Sequence, residues 1–302
     1  QVLQLDPNAK VLYRYRLGLN AVTLTSSSNV SSAIAKLAGV RRLEINETFA
    51  RPMAEKVPTV TQPLEGPSSV DFIGADVAHK KGITGKGVKV GIIDTGIDYT
   101  HAMLGGGGDP AVYASVLPDL PNSLFPNSKV IGGIDLVGTN YNAASELPVA
   151  YVPRPDRNPL DEAGHGTHVA GTVAGSGDGL NTYTGVAPDA QLYAIKVFGK
   201  EGSTSDAVVI AALEYAADPN GDLNPDDQLD VVNLSLGGAY GTPHILYAEA
   251  VRVLSAAGTA VVAAAGNAGP VNYIVGAPST SEDAISVAAS VDGSFTNWKY
   301  AA

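Results

Sequence analysis

Four short motifs hold the side chains with the greatest chemical capacity. Asp94 closes the apolar run G-I-I-D-T-G, where Thr95 and Gly96 permit a tight turn. A carboxylate there stands at a sheet rim; taken alone, D-T-G also fits an aspartic protease half-site or a plain turn. His165 opens H-G-T-H-V-A-G-T at 165–172, a helix whose small residues Gly166, Ala170, Gly171 and Ala174 allow close packing on a sheet. An imidazole titrates near neutrality and so suits proton transfer. His168 lies three residues on and shares a helix face, which raises zinc ligation. The lack of H-E-x-x-H and of an obvious third ligand argues against it. The third motif, V-V-N-L-S-L-G-G at 231–238, ends in two glycines that let a peptide approach a strand edge. Ser235 is not set in G-x-S-x-G, so this run reads as a substrate-binding strand rather than a nucleophile's turn. The fourth, A-V-V-A-A-A-G-N-A-G at 260–269, places Asn267 just past a buried strand, either as an amide donor into a cleft or as a turn residue.

The elements that must position these groups follow from periodicity. Apolar runs at 88–94, 129–136, 190–198, 229–236, 259–266 and 284–289 suit strands covered on both faces. Helical patterns at 165–175, 205–217 and 245–257 lie between several of them. Strands alternating with helices imply an α/β fold with a doubly wound, mostly parallel sheet, whose functional groups gather at the carboxyl ends of the strands. Ahead of this body, 12–24 alternates like a strand, 28–37 has helical spacing, and 40–46 reads as a second strand. Residues 51–69 contain Pro52, Pro58, Pro63 and Pro67 and read as an extended linker.

Composition narrows the function. A formal net charge of −11 disfavours a nucleic-acid partner. Residues 1–58 hold 8 Lys and Arg against 4 Asp and Glu, so a basic first segment precedes an acidic body that would attract it. Cysteine is absent, which removes disulfides, thiolate metal sites and a Cys nucleophile. No apolar run is long enough for a membrane span.

In order and spacing, D-T-G, H-G-T-H-V-A-G-T, N-L-S-L-G-G and A-A-A-G-N together resemble the subtilase family of serine proteases over about residues 66–290. The L-N-A-V-T-L and L-A-G-V-R-R-L-E runs in 12–48 resemble the end of a subtilase inhibitory pro-segment. The resemblance implies a partial, ferredoxin-like α+β pro-segment at 1–50, a linker with a processing site at 51–69 and a subtilisin-like catalytic domain at 70–302. It implies catalytic roles for Asp94 and His165 and an oxyanion donor in Asn267. It implies a substrate-binding strand with one pocket wall at Ser235, Leu236 and Gly237, an opposite wall at Ala264 and Ala265, and a floor at Gly276. Small residues all round imply a preference for large uncharged side chains before the cleaved bond.

The implied protein is a secreted endopeptidase made as a zymogen, acting on protein or peptide substrates with its own pro-segment as intramolecular inhibitor. The family's nucleophile sits in G-T-S-x-[AS]-x-P, and residues 1–302 hold no such segment. The chain alone is therefore expected to be inactive, as a fragment of the enzyme. The alternative is an inactive, subtilase-like peptide-binding module.

Residues 218–230 place oxygen-bearing side chains at Asp218, Asn220, Asp222, Asn224 and Asp226, with Asp230 beyond. Crowded carboxylates favour a hard cation. Leu223 and Leu229 occupy the positions where an EF-hand needs Gly and Glu, so this is not an EF-hand. Related subtilases carry stabilising calcium, and the expectation is a structural Ca2+ here.

Overall fold

The structure is a computed structural model that describes residues 1–53, 69–177, 183–242 and 245–290. Six parallel strands form the central sheet: β4 (Lys89–Asp94), β5 (Val130–Asp135), β6 (Gln191–Lys196), β8 (Val231–Leu234), β9 (Ala260–Ala264) and β10 (Ile285–Val287). Their spatial order is β10-β9-β8-β4-β6-β5. This is the α/β parallel sheet that the apolar runs imply.

Both faces are covered. Ile93, Ile195 and Val232 pack with the helices Asp206–Ala217 and Ile245–Ala256. Ile92, Leu192 and Ala194 pack with Ala170 and Ala174 of the opposite helix, His165–Ala174. Side chains alternate along a strand, so Asp94 shares the face of Ile92 and points toward the helix that begins at His165. The helix Asp206–Ala217 is apolar nearly all round, because its far side is covered too.

That cover is the N-terminal segment. β1 (Lys10–Tyr15) and β2 (Ala21–Thr25) form an antiparallel hairpin, followed by a short helix, Ser31–Ile34. The single strand expected over 12–24 is thus two strands. Alternation does not reveal the turn at 16–20, whose conformation is set from outside by Glu214, which accepts bonds from the backbone N–H groups of Arg16, Leu17 and Gly18. The helix expected over 28–37 is shorter, a 3-10 turn Ser28–Val30 leading into Ser31–Ile34.

No strand forms over 40–46. Instead β3 (Thr48–Ala50) pairs antiparallel with β7 (Ser203–Ser205), in a two-stranded sheet of their own. The physical reason lies at the start of the Asp206–Ala217 helix. There Asn46 accepts from Ala207 N (2.9 Å), and Glu47 and Asp206 exchange bonds at 3.1 Å. Bare helix N–H groups need such partners; supplying them takes 46–47 and starts the strand at Thr48. Most of the expected 51–69 linker lies outside the described residues.

Candidate active site

Asp94 is the last residue of β4 and is fully buried. Its Oδ1 accepts from the backbone N–H of Thr95 at 2.7 Å and from Nδ1 of His165 at 2.8 Å. A carboxylate only accepts, so Nδ1 bears the proton and Nε2 is the nitrogen left for acid–base work. The His165 side chain keeps 18% exposure, so the ring spans from the buried carboxylate to solvent.

Burial opposes charge on the imidazole, but the hydrogen bond and charge of Asp94, joined by the charge of Asp161, outweigh it. The pKa of His165 is therefore raised above the ordinary imidazole value. The Arg51 guanidinium pulls the other way. A base held by a buried carboxylate and raised in pKa is equipped to take a proton from a hydroxyl and to hold it.

Sequence reasoning missed the loop that bonds to both elements of this pair. Asp161 is buried and receives bonds from Thr95 Oγ1, from the N–H groups of Ala163 and Gly164, and from the N–H and hydroxyl of Thr167. An acidic residue just ahead of a helix is a sequence signal for capping, and D-E-A-G-H carries it. Lys196, in register with both Asp94 and Asp135, was missed as well. It is wholly buried, and its Nζ reaches Leu160 O at 2.9 Å, Glu162 Oε2 at 3.2 Å and Asp135 Oδ2 at 3.6 Å. Its position inside an apolar strand hid it.

The pocket residues expected from sequence adjoin one another. Ser235, Leu236 and Gly237 continue from β8, and Ser235 Oγ accepts from Asn233 Nδ2 at 2.9 Å. Gly238 and Ala277 exchange backbone bonds at 3.1 and 3.2 Å. Gly276 N donates to Ala265 O at 3.1 Å, one residue past Ala264 at the end of β9. A methyl on Gly276 would sit 2.5 Å from Gly238 O, so glycine is required for this close approach. Asn267 is exposed beyond β9, on the same carboxyl edge of the sheet as Asp94. The structure gives no hydrogen bond between Asn267 and the Asp94–His165 pair among the described residues.

Sequence reasoning also overlooked β7 as a second edge. Arg51 N continues its pairing with β3 by donating to Gly202 O at 3.2 Å. The ring of Phe49 meets that of Phe198 edge-on, with centroids 6.2 Å apart.

The acidic loop does not gather as a ligand set. Asp218 already accepts from the N–H groups of Gly221, Asp222 and Leu223. Asp222 accepts from Asn224 N and from Asn220 Nδ2, and Asn220 Oδ1 takes Asp222 N. Asp230 turns to Lys89 N at 2.8 Å. Among the described residues no group of three or more His, Cys, Asp or Glu is arranged to hold a metal ion. A structural Ca2+ held by Asp218, Asn220, Asp222, Asn224, Asp226 and Asp230 would draw on oxygens already engaged at Asp218, Asn220, Asp222 and Asp230.

Residues 85–297 match the model of the subtilase family, peptidase S8. The chain is 35% identical over 287 residues to the minor extracellular protease Vpr of Bacillus subtilis, covering 93% of this chain and 31% of that protein. It is 31% identical over 295 residues to the serine protease AprX of the same species, covering 96% and 55%. It is 37% identical over 204 residues to subtilisin DY of Bacillus licheniformis, covering 67% and 56%. The chain thus spans between 31% and 56% of the length of these relatives.

Proposed function

This chain belongs to the subtilase family, and from that premise we propose that it carries the acid–base half of a secreted serine endopeptidase made as a zymogen. The observation that carries the reading is the 2.8 Å bond between Asp94 Oδ1 and His165 Nδ1 at the carboxyl edge of the sheet.

In this reading Nε2 of His165 takes the proton of a serine hydroxyl while that oxygen attacks a peptide carbonyl carbon. Asp94 stabilises the imidazolium so formed. The imidazolium gives its proton to the departing amine as the C–N bond breaks. Water then enters with His165 again as base, and the acyl ester is hydrolysed. The Asn267 amide donates to the carbonyl oxygen while it bears negative charge. Losing one such donor costs roughly 10²–10³ in turnover, a magnitude measured in subtilisin itself. Ser235, Leu236 and Gly237 pair with the substrate backbone, Ala264 and Ala265 face them, and Gly276 closes the pocket that receives large uncharged side chains.

Residues 1–50 act as the intramolecular inhibitor. Two features support this. Thr48–Ala50 adds a strand to the β7 edge, as an extended peptide does in β-augmentation. Arg51, next along the chain, is near enough for its charge to act on His165. Secretion is supported by the relative named as extracellular. No described helix is long and apolar enough to cross a membrane.

The test is a fluorophosphonate serine probe and a peptide substrate applied to the full-length protein. Labelling and hydrolysis, both lost in His165→Ala, are expected. Tight peptide binding with neither labelling nor hydrolysis would replace this reading with that of a peptide-binding module.

A further inference from the structure

We propose that Asp161 is a positioning residue, whose single carboxylate sets the distance between Asp94 and His165. The inference rests on the reading of that pair as the proton relay. Asp161 is 2% exposed and stands four residues ahead of His165. Its Oδ1 accepts from Thr95 Oγ1 at 2.8 Å and from Ala163 N and Gly164 N at 2.9 Å each. Its Oδ2 accepts from Thr167 N at 2.9 Å and Thr167 Oγ1 at 2.6 Å.

Ala163 and Gly164 lie in the loop of Asp161 itself, but Thr95 and Thr167 belong to two different elements. Thr95 follows Asp94 at the end of β4, and its own N–H holds Asp94 Oδ1. Thr167 lies in the first turn of the helix that begins at His165. Because the Thr95 hydroxyl gives its proton to Asp161, its lone pair is free to accept from Gly166 N, which it does at 2.8 Å. The strand end and the helix start are therefore joined twice, once through Asp161 and once through Thr95 Oγ1.

A residue that only capped the helix would bond Thr167 and stop there. The residue before the helix, Gly164, provides no side-chain cap. Asp161 does that work and also reaches across to the strand, so moving it moves one partner of the pair against the other. A carboxylate fits because all five neighbours are donors, and charge-assisted bonds of this kind are the stronger ones.

The experiment uses the full-length protein carrying Asp161→Asn, in which an amide NH₂ must face groups that themselves donate. The rate split on a peptide anilide and the low-field proton resonance of His165 Nδ1 are measured. The expected result is a kcat lower by roughly 10–100-fold with KM within about threefold, as displaced catalytic groups give. The resonance moves upfield or broadens while unfolding stays cooperative. A purely structural role would lower the melting temperature and leave kcat and the resonance of the folded protein untouched, and that result would overturn the proposal.

If Asp161→Asn does not fold, Thr95→Val removes the link at nearly constant shape. The same split is expected, with recovery in Thr95→Ser; an unaltered kcat and resonance in Thr95→Val would overturn the proposal equally. A parent protein that neither hydrolyses peptide nor takes up the serine probe defeats the protease reading instead. The resonance then still reports whether Asp161 sets the bond.

Discussion

Gly166 stands where a methyl group would lie 2.1 Å from the carbonyl oxygen of Gly96 and 3.1 Å from Asp94 Cβ. The helix of His165 thus starts in direct contact with the strand end of Asp94. Gly166→Ala forces that backbone apart. We expect a stability loss of about 1–3 kcal/mol and a fall in kcat of roughly 10²-fold, read by urea unfolding and by peptide hydrolysis. Turnover at the parent rate would show that the contact does not set the pair.

The pH profile tests the charge on His165. Its folded pKa lies above 6.5, so the protonated form is favoured in the fold. The stability this adds is complete below the unfolded value and is lost as pH rises through the folded one. Activity needs the neutral base and so appears across that same rise. Asp94→Asn removes the main raising causes and leaves burial, so the acid limb of kcat/KM should move to lower pH. The plateau should fall by roughly 10⁴-fold. A limb that stays in place assigns it to another group. Arg51→Ala should raise the limb, since the Arg51 charge lowers the pKa.

Lys196→Met leaves Asp135 buried without its cation. A loss of about 3–5 kcal/mol is expected at neutral pH by chemical denaturation. Burial pushes the Asp135 carboxyl up to about 6 even against the pull of Lys196. Without that pull it rises further, and protonation then relieves the isolated charge. The deficit should therefore be smaller at pH 5 than at pH 8. Equal deficits at both would place the cost in packing alone.

Glu214 holds the hairpin turn by three backbone N–H groups. In Glu214→Ala the amides of Arg16, Leu17 and Gly18 should exchange with solvent at least about tenfold faster, as loss of bonds to a charged acceptor predicts. Unchanged protection would mean that packing of Tyr15 and Leu19 holds the turn by itself.

The Asp218 carboxylate closes its loop by accepting from the N–H groups of Gly221, Asp222 and Leu223. Asp218→Ala should cost about 1–3 kcal/mol, equally in calcium and in chelator. A melting point raised by calcium in the parent, with no such rise in Asp218→Ala, would instead seat the ion expected from the loop's sequence.

Much of the body was legible because burial on two faces writes itself as unbroken apolar runs. The run at 88–94 is such a case; it became Lys89–Asp94, with Ile92 and Ile93 wholly buried. Asp94 and His165 were legible because each stands at an element's end, next to residues that permit sharp turns or close packing. The N-terminal segment was misread where its conformation answers to partners far along the chain. Gly18 turns against Glu214, 196 residues on, and Asn46 bonds Ala207, 161 residues on.

The residue order of this chain determined which strands could be buried and which side chains stood at their ends, since period and polarity are local properties. Tertiary structure alone decided that Asp161 joins two elements, that Lys196 neutralises Asp135, and that Thr48 pairs with Ser205. Those are contacts between distant parts of the chain. A hydrogen bond or an ion pair depends on separations of a few ångströms, and only the packed fold sets them.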